Sequence, residues 1–169
     1  MVLGEFGLRG QVAGCRLSVI GYQLSVVGYR LSVISLRNNV FKNRKMKSYK
    51  DLDIYNLGLS LFYRTHKASL QLPNYELYEL GSQLRRSSDS VVTNIVEGYG
   101  RRRYKQDFIK FLVYSHASNL ETVCHLEKLM ALYPNLTNEI AILQKEYDQL
   151  GAKIFSFLNY VENHWNKFE

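Results

Sequence analysis

Near the C-terminus, Ile140, Leu143, Tyr147, Leu150, Ile154, Phe157, Val161 and Trp165 follow one another at steps of three and four residues. Steps of this size return to one face of an α-helix about every turn, whereas a strand needs steps of two. A helix with one continuous apolar stripe must bury it against other elements. The chain supplies three further helices. A first is predicted from about Asp51 to Leu70, with Ile54, Leu57, Leu61 and Phe62 on its apolar face and Thr65 and Ser69 thinning that face. Gln71-Leu72-Pro73-Asn74 ends it, because proline cannot continue the hydrogen-bond ladder. A second starts near Tyr75 and carries Leu77, Leu80, Leu84, Ser88, Val91 and Ile95; Gly98 and Gly100 are read as its C-terminal stop. A third begins near Tyr104, with Phe108, Phe111 or Leu112, Ser115, Ser118, Thr122, Leu126 and Leu129 inward, and Tyr133-Pro134-Asn135 breaks it. Short connections between helices of similar length require antiparallel neighbours. The fold class is therefore all-α, an antiparallel up-down four-helix bundle over residues 46–169, with an N-terminal extension over 1–45.

The extension reads differently from the rest. Arg16-Leu-Ser-Val-Ile-Gly-Tyr22 is followed by Gln23-Leu-Ser-Val-Val-Gly-Tyr29 and Arg30-Leu-Ser-Val-Ile-Ser-Leu36, a direct repeat of seven residues. As a helix it would offer a coiled-coil seam, but its β-branched residues, Gly21 and Gly28 oppose that. It is not a signal peptide either, since Arg or Gln interrupts every apolar run and no cleavage site follows. Residues 1–45 are read as disordered or as a translated upstream repeat, with Met46 as the start of the folded protein.

The chain of 169 residues has a net charge of +7. Seven of its 22 Lys and Arg but only one of its 15 acids, Glu5, precede Met46, so the bundle itself carries only +1. Any basic surface on it must be a local patch. No apolar run approaches the roughly 18 residues of a membrane span. With only Cys15 and Cys124 there is no disulfide framework, and a cytoplasmic location is expected.

Catalytic and metal chemistry finds little to stand on. A di-iron bundle needs Glu-x-x-His pairs, and the chain has none. Cys124 and His125 are adjacent, so they point about 100° apart on a helix. His116, Glu121 and His125 form a loose grouping, read as ordinary helix-surface polar residues and not as a metal site. Cys124 is read as a small buried hydrophobe. There is no P-loop and no dinucleotide fingerprint. No enzyme, cofactor or metal is expected.

The densest polar segment lies around the turn between the second and third helices. From Leu84 to Lys110, the seven cations Arg85, Arg86, Arg101, Arg102, Arg103, Lys105 and Lys110 face the acids Asp89, Glu97 and Asp107, which leaves +4. Tyr99 and Tyr104 are interleaved and suited to stacking on unpaired bases. Asn94 is expected at the bundle edge. Glu97, near a helix C-terminus, opposes the macrodipole and needs a donor, such as a nearby arginine or the free amide groups at the start of the third helix. A solvated polar loop is the alternative.

The string Gln83-Leu-Arg-Arg86, continuing through Ser90-Val-Val-Thr-Asn94-Ile-Val-Glu97-Gly98, then Asp107-Phe, Phe111-Leu and Ser118-x-x-Glu121, resembles the bacterial four-helix bundle proteins of the 23S rRNA intervening-sequence family. Pro73 and Glu76 also fit its pattern. The resemblance spans Met46 to Glu169 and leaves out the first 45 residues. The family usually has alanines at Ser87 and Ser88, alanine at Val96 and glycine at Ala117; these changes touch helix packing and not membership. The resemblance implies a four-helix fold, a structural motif of Asn94, Glu97, Gly98, Ser118 and Glu121, and a ring-like homopentamer. A related bundle, the accessory variability protein of diversity-generating retroelements, works with nucleic acid and a reverse transcriptase. The expected function is thus non-enzymatic nucleic-acid binding through the seven cations, with RNA or DNA as partner. The alternative is an adaptor for a protein such as a reverse transcriptase.

Overall fold

Ser48 opens the folded chain with a reciprocal cap. Its hydroxyl accepts the Lys50 amide (3.3 Å), and Asp51 Oδ2 accepts the amides of Ser48 (3.0 Å) and Lys47 (3.1 Å). Orphan amides at a helix start are thereby satisfied from within the segment. The computed structural model describes residues 47–164. The expectations for the seven-residue repeat, the division at Met46 and the seam position of Trp165 lie outside these residues.

After the 3-10 turn Tyr49–Asp51 come four helices: α1 (Asp53–Ser69), α2 (Leu80–Gly100), α3 (Lys105–Leu132) and, after a second 3-10 turn at Pro134–Leu136, α4 (Thr137–Asn163). There is no strand among the described residues. Cross-helix contacts run in opposite directions between α1 and α4, α2 and α3, and α3 and α4. Arg64 pairs with Glu146, Thr65 shares a hydrogen bond with Tyr147 (3.0 Å), and Gln71 Nε2 donates to Glu139 (3.1 Å). Between α2 and α3, Thr122 donates to Ser87 (3.0 Å), Ser90 meets Ser118 (3.0 Å) and Ser115 donates to the Val91 carbonyl (2.8 Å). Between α3 and α4, Gln144 donates to Glu127 (3.1 Å), and the Phe108 and Phe157 rings lie edge to face at 6.0 Å. Ser69 at the end of α1 accepts from Arg85 in the first half of α2 (3.0 Å).

The α4 seam is buried at every described position from Ile140 to Val161, none more than 3% exposed. Tyr147, near the middle of the seam, is fully buried. Burial pushes the Tyr147 hydroxyl up to about 12, against the opposing effect of its hydrogen bonds to Thr65 and Ser88.

Several local expectations are corrected. Helix α2 starts at Leu80 and not near Tyr75. The chain from Pro73 to Glu79 is wound as turns, because the Glu76 carboxylate caps the Leu80 amide (3.1 Å) and accepts the Tyr133 hydroxyl (2.9 Å). Gly98 does not stop α2, which runs through it; the helix ends at Gly100, but neither glycine has the positive φ of a glycine cap, and Arg101 takes the cap position. Gly98 instead permits a close crossing: a Cβ there would lie 2.8 Å from Phe111 Cβ. Gly151 does the same on α4, where a Cβ would lie 2.7 Å from Asn119 Nδ2.

On α3, Leu112 and not Phe111 takes the core position, and Ser118 is only half-buried. Asn119 and His125 are buried, which the polar character of these residues concealed. Asn119 Nδ2 donates to the Tyr147 carbonyl (3.0 Å). Cys124 is exposed, contrary to expectation. It lies two residues before the core residue Leu126, about 200° around the helix.

Candidate nucleic-acid interface

The turn between α2 and α3 is built by its backbone. The Arg101 amide donates to the carbonyls of Glu97 and Gly98 (both 3.1 Å), Arg102 to Tyr99 (3.2 Å), and Tyr104 to Arg101 (2.9 Å). Tyr104, in an extended conformation, then caps α3, and Asp107 stands in the first turn of that helix, where a negative charge is favourable. The same macrodipole argument favours the three arginines at the C-terminal end of α2.

Each cation of the turn has a distinct setting. Arg101 Nη2 lies 3.2 Å from Glu97 Oε1, the two side chains each 52% exposed, and the guanidinium stands 5.0 Å over the Phe111 ring. The donor expected for Glu97 is therefore the arginine four residues on. Arg102 lies 4.0 Å over the Tyr99 ring and donates from Nη1 to the Tyr99 carbonyl (2.9 Å). Tyr99 is itself buried, with Tyr49 at 6.3 Å against its ring, so this tyrosine braces an arginine and does not offer itself to a base. Arg103 is exposed and makes no hydrogen bond or ion pair among the described residues. Lys105 donates to the Glu162 carbonyl (2.9 Å) near the end of α4, and Lys110 reaches over Tyr114 (5.8 Å).

The seven expected cations do not form one surface. Arg101, Arg102, Arg103 and Lys105 gather in the turn, and Lys110 follows along α3. Arg85 and Arg86 lie fifteen residues earlier on α2, roughly 22 Å along the axis at the helical rise. Arg85 is turned inward, with Nη1 on Ser69 Oγ (3.0 Å) and Nη2 on the Leu77 carbonyl. Arg86 is exposed and without a partner among the described residues.

Of the motif residues, Asn94, Gly98 and Ser118 lie between helices, whereas Glu97 and Glu121 are exposed. Half-buried Asn94 donates to the carbonyl (2.8 Å) and hydroxyl (3.0 Å) of Ser90, and Ser90 in turn meets Ser118. Glu121 lies 3.4 Å from His125 Nε2, and His125 Nδ1 has no partner. His125 is thus not a surface residue. His116 packs against Phe155 at 5.9 Å, and burial lowers its pKa. Among the described residues no three His, Cys, Asp or Glu side chains are grouped to hold a metal ion, and no helix is long and apolar enough to cross a membrane.

The helices that carry the Ser90–Asn94–Ser118 set fall within a stretch that matches a known family. Residues 50–156, well over half of the chain, match the model of the 23S rRNA-intervening sequence protein. The chain belongs to this family. No curated protein matches it. The stretch typical of the 23S rRNA-intervening sequence proteins takes in α1, α2, α3 and most of α4, and includes all seven cations. Sequence reasoning missed that Tyr49 packs against Tyr99 (6.3 Å) at this end, and that the end of α4, with its stacked Tyr160–His164 pair (4.6 Å), is tied to Lys105 through the Glu162 carbonyl. These lie about 50 and 60 residues away in sequence, and only the antiparallel register brings them there.

Proposed function

We propose that this protein binds nucleic acid through the α2–α3 turn, works as a homo-oligomer and catalyses no reaction. The observation that carries the reading is Arg103, exposed and unpaired between a guanidinium laid on Tyr99 and a lysine braced on α4. Guanidinium groups that the protein does not neutralise offer planar donors matched to phosphate oxygens. In a ring, the homopentamer that family membership suggests, the turn would repeat on each protomer, and modest affinity at one site would multiply through avidity.

The experiment is a salt titration of binding to RNA and DNA for the wild type and for the triple variant R101A/R102A/R103A. The variant is expected to bind more weakly, about equally across sequences, and with a shallower salt dependence, because fewer counterions are released. Circular dichroism should match the wild type, since the one ion pair removed is exposed and such pairs contribute only ~0–1 kcal/mol. Absence of wild-type binding at about 50 mM salt would end this reading.

One observation favours a second reading, an adaptor for a protein partner such as a reverse transcriptase. At the opposite end of the bundle Leu70, Tyr75, Tyr78 and Leu132 are all more than half exposed, and Glu79 and Glu139 accompany them. Exposed apolar groups gathered at one place commonly mark protein contacts.

A further inference from the structure

We infer that the turn selects unpaired nucleotides over duplex; this rests on the nucleic-acid reading above and narrows it to a substrate class. Tyr104 is 63% exposed, and its ring and hydroxyl have no partner among the described residues. Its neighbour Arg103 is equally free. Half-buried Arg102 stands 4.0 Å over the Tyr99 ring beside them and adds its charge to the turn. Flat surfaces next to unpaired positive charge are what a splayed base and its phosphate require: the base stacks on the ring or on the guanidinium plane, and the phosphate takes the cation.

A duplex would use this surface poorly. Its bases are stacked inside, so Tyr104 would gain no ring to cover, and its phosphates run along a stiff rod that calls for cations spread over a long face. The cation cluster of the turn lacks that length. Arg85, which would have extended the cations along α2, donates instead to Ser69 and the Leu77 carbonyl. The cations of the turn lie within five residues, a span suited to a few nucleotides of flexible strand.

The test uses the full chain and fluorescence anisotropy at about 50 mM salt. The probes are a strand of about 12 nucleotides, as RNA and as DNA, and the duplex of the same sequence. The single strand should bind about tenfold tighter than the duplex, and Tyr104→Ala should remove about tenfold from single-strand binding and leave duplex binding unchanged. Tyr104→Phe, which keeps the ring, should bind as the wild type does. A preference for either sugar supports the inference and tells the two sources apart. Equal wild-type affinity for strand and duplex, a Tyr104→Ala loss shared by both, or no loss on the single strand would overturn it while nucleic-acid binding stands. If the wild type binds none of the probes, the functional reading itself has failed.

Discussion

At the α2–α3 end Arg103 reaches solvent with no partner, whereas toward the other end Arg85 is engaged between Ser69 and the Leu77 carbonyl. Acids divide the same way. Glu97 is half exposed on its arginine, while Glu76 is buried and holds both the Leu80 amide and the Tyr133 hydroxyl. At the connection end polar groups join the α1–α2 link to the α3–α4 link; at the turn end Arg103 is presented outward, while Arg102 and Lys105 each give one hydrogen bond to a backbone carbonyl. Charge count alone does not distinguish a strut from a binding group. Satisfaction by the protein's own backbone does, because a donor already engaged inside the fold has little left for a ligand.

Both ends hang from the same apolar seam, and the largest expected effect comes from breaking it. Ile154→Ala should cost about 2–5 kcal/mol, read by denaturant unfolding, because Ile154 is fully buried within it. A change under about 0.5 kcal/mol, the size expected of a surface substitution, would mean that the ends are held independently.

An alkaline scan sharpens the comparison. Burial raises the Tyr147 pKa to about 12 in mid-bundle, and the hydrogen bond to Tyr75 raises that of Tyr133 at the connection end. Both shifts favour the neutral phenol in the folded state. The stability they carry is therefore complete below pH 10 and is lost as pH rises toward the folded value. For Tyr147 the loss should be on the order of 2 kcal/mol. Thermal melts between pH 9 and pH 12, compared with Tyr147→Phe, check this: the variant should show the shallower decline. Equal slopes would remove Tyr147 as the source.

Much of this was legible beforehand, for reasons that particular residues make plain. Helix α4 could be read almost entirely because its seam repeats without interruption for as long as the helix lasts. The onset of α2 could not, because Leu77 and Leu80 keep the helical spacing while the Glu76 side chain, by capping Leu80, holds the preceding residues in turns. The stop assigned to Gly98 failed because a glycine needed for positive φ and one needed for a missing Cβ look alike in a sequence, whereas α2 does end at Gly100. Asn119 and His125 were invisible as core residues, since their burial depends on Gly151 and on neighbouring helices. The cations were found, but their division was not. Fifteen residues of α2 separate Arg86 from Arg101, and a tally over the segment discards that distance.

The smallest effect divides the arginines most cleanly. Arg103→Ala and Arg85→Ala remove the same charge from the same chain. Arg85→Ala leaves Ser69 Oγ, in a buried residue, and the Leu77 carbonyl without their donor. Unsatisfied groups of this kind cost about 1–3 kcal/mol. Arg103→Ala removes an exposed side chain with no partner, and its effect on stability should stay within about 0.5 kcal/mol. Nucleic-acid affinity should respond in the opposite order. Arg103→Ala weakens it and lowers the salt slope by about one contact, whereas Arg85→Ala, measured where it remains folded, leaves both unchanged. Urea unfolding and a salt titration on the two variants suffice. If Arg85→Ala lowers the salt slope as much as Arg103→Ala does, the inward hydrogen bonds of Arg85 open readily and the two ends act on the ligand together.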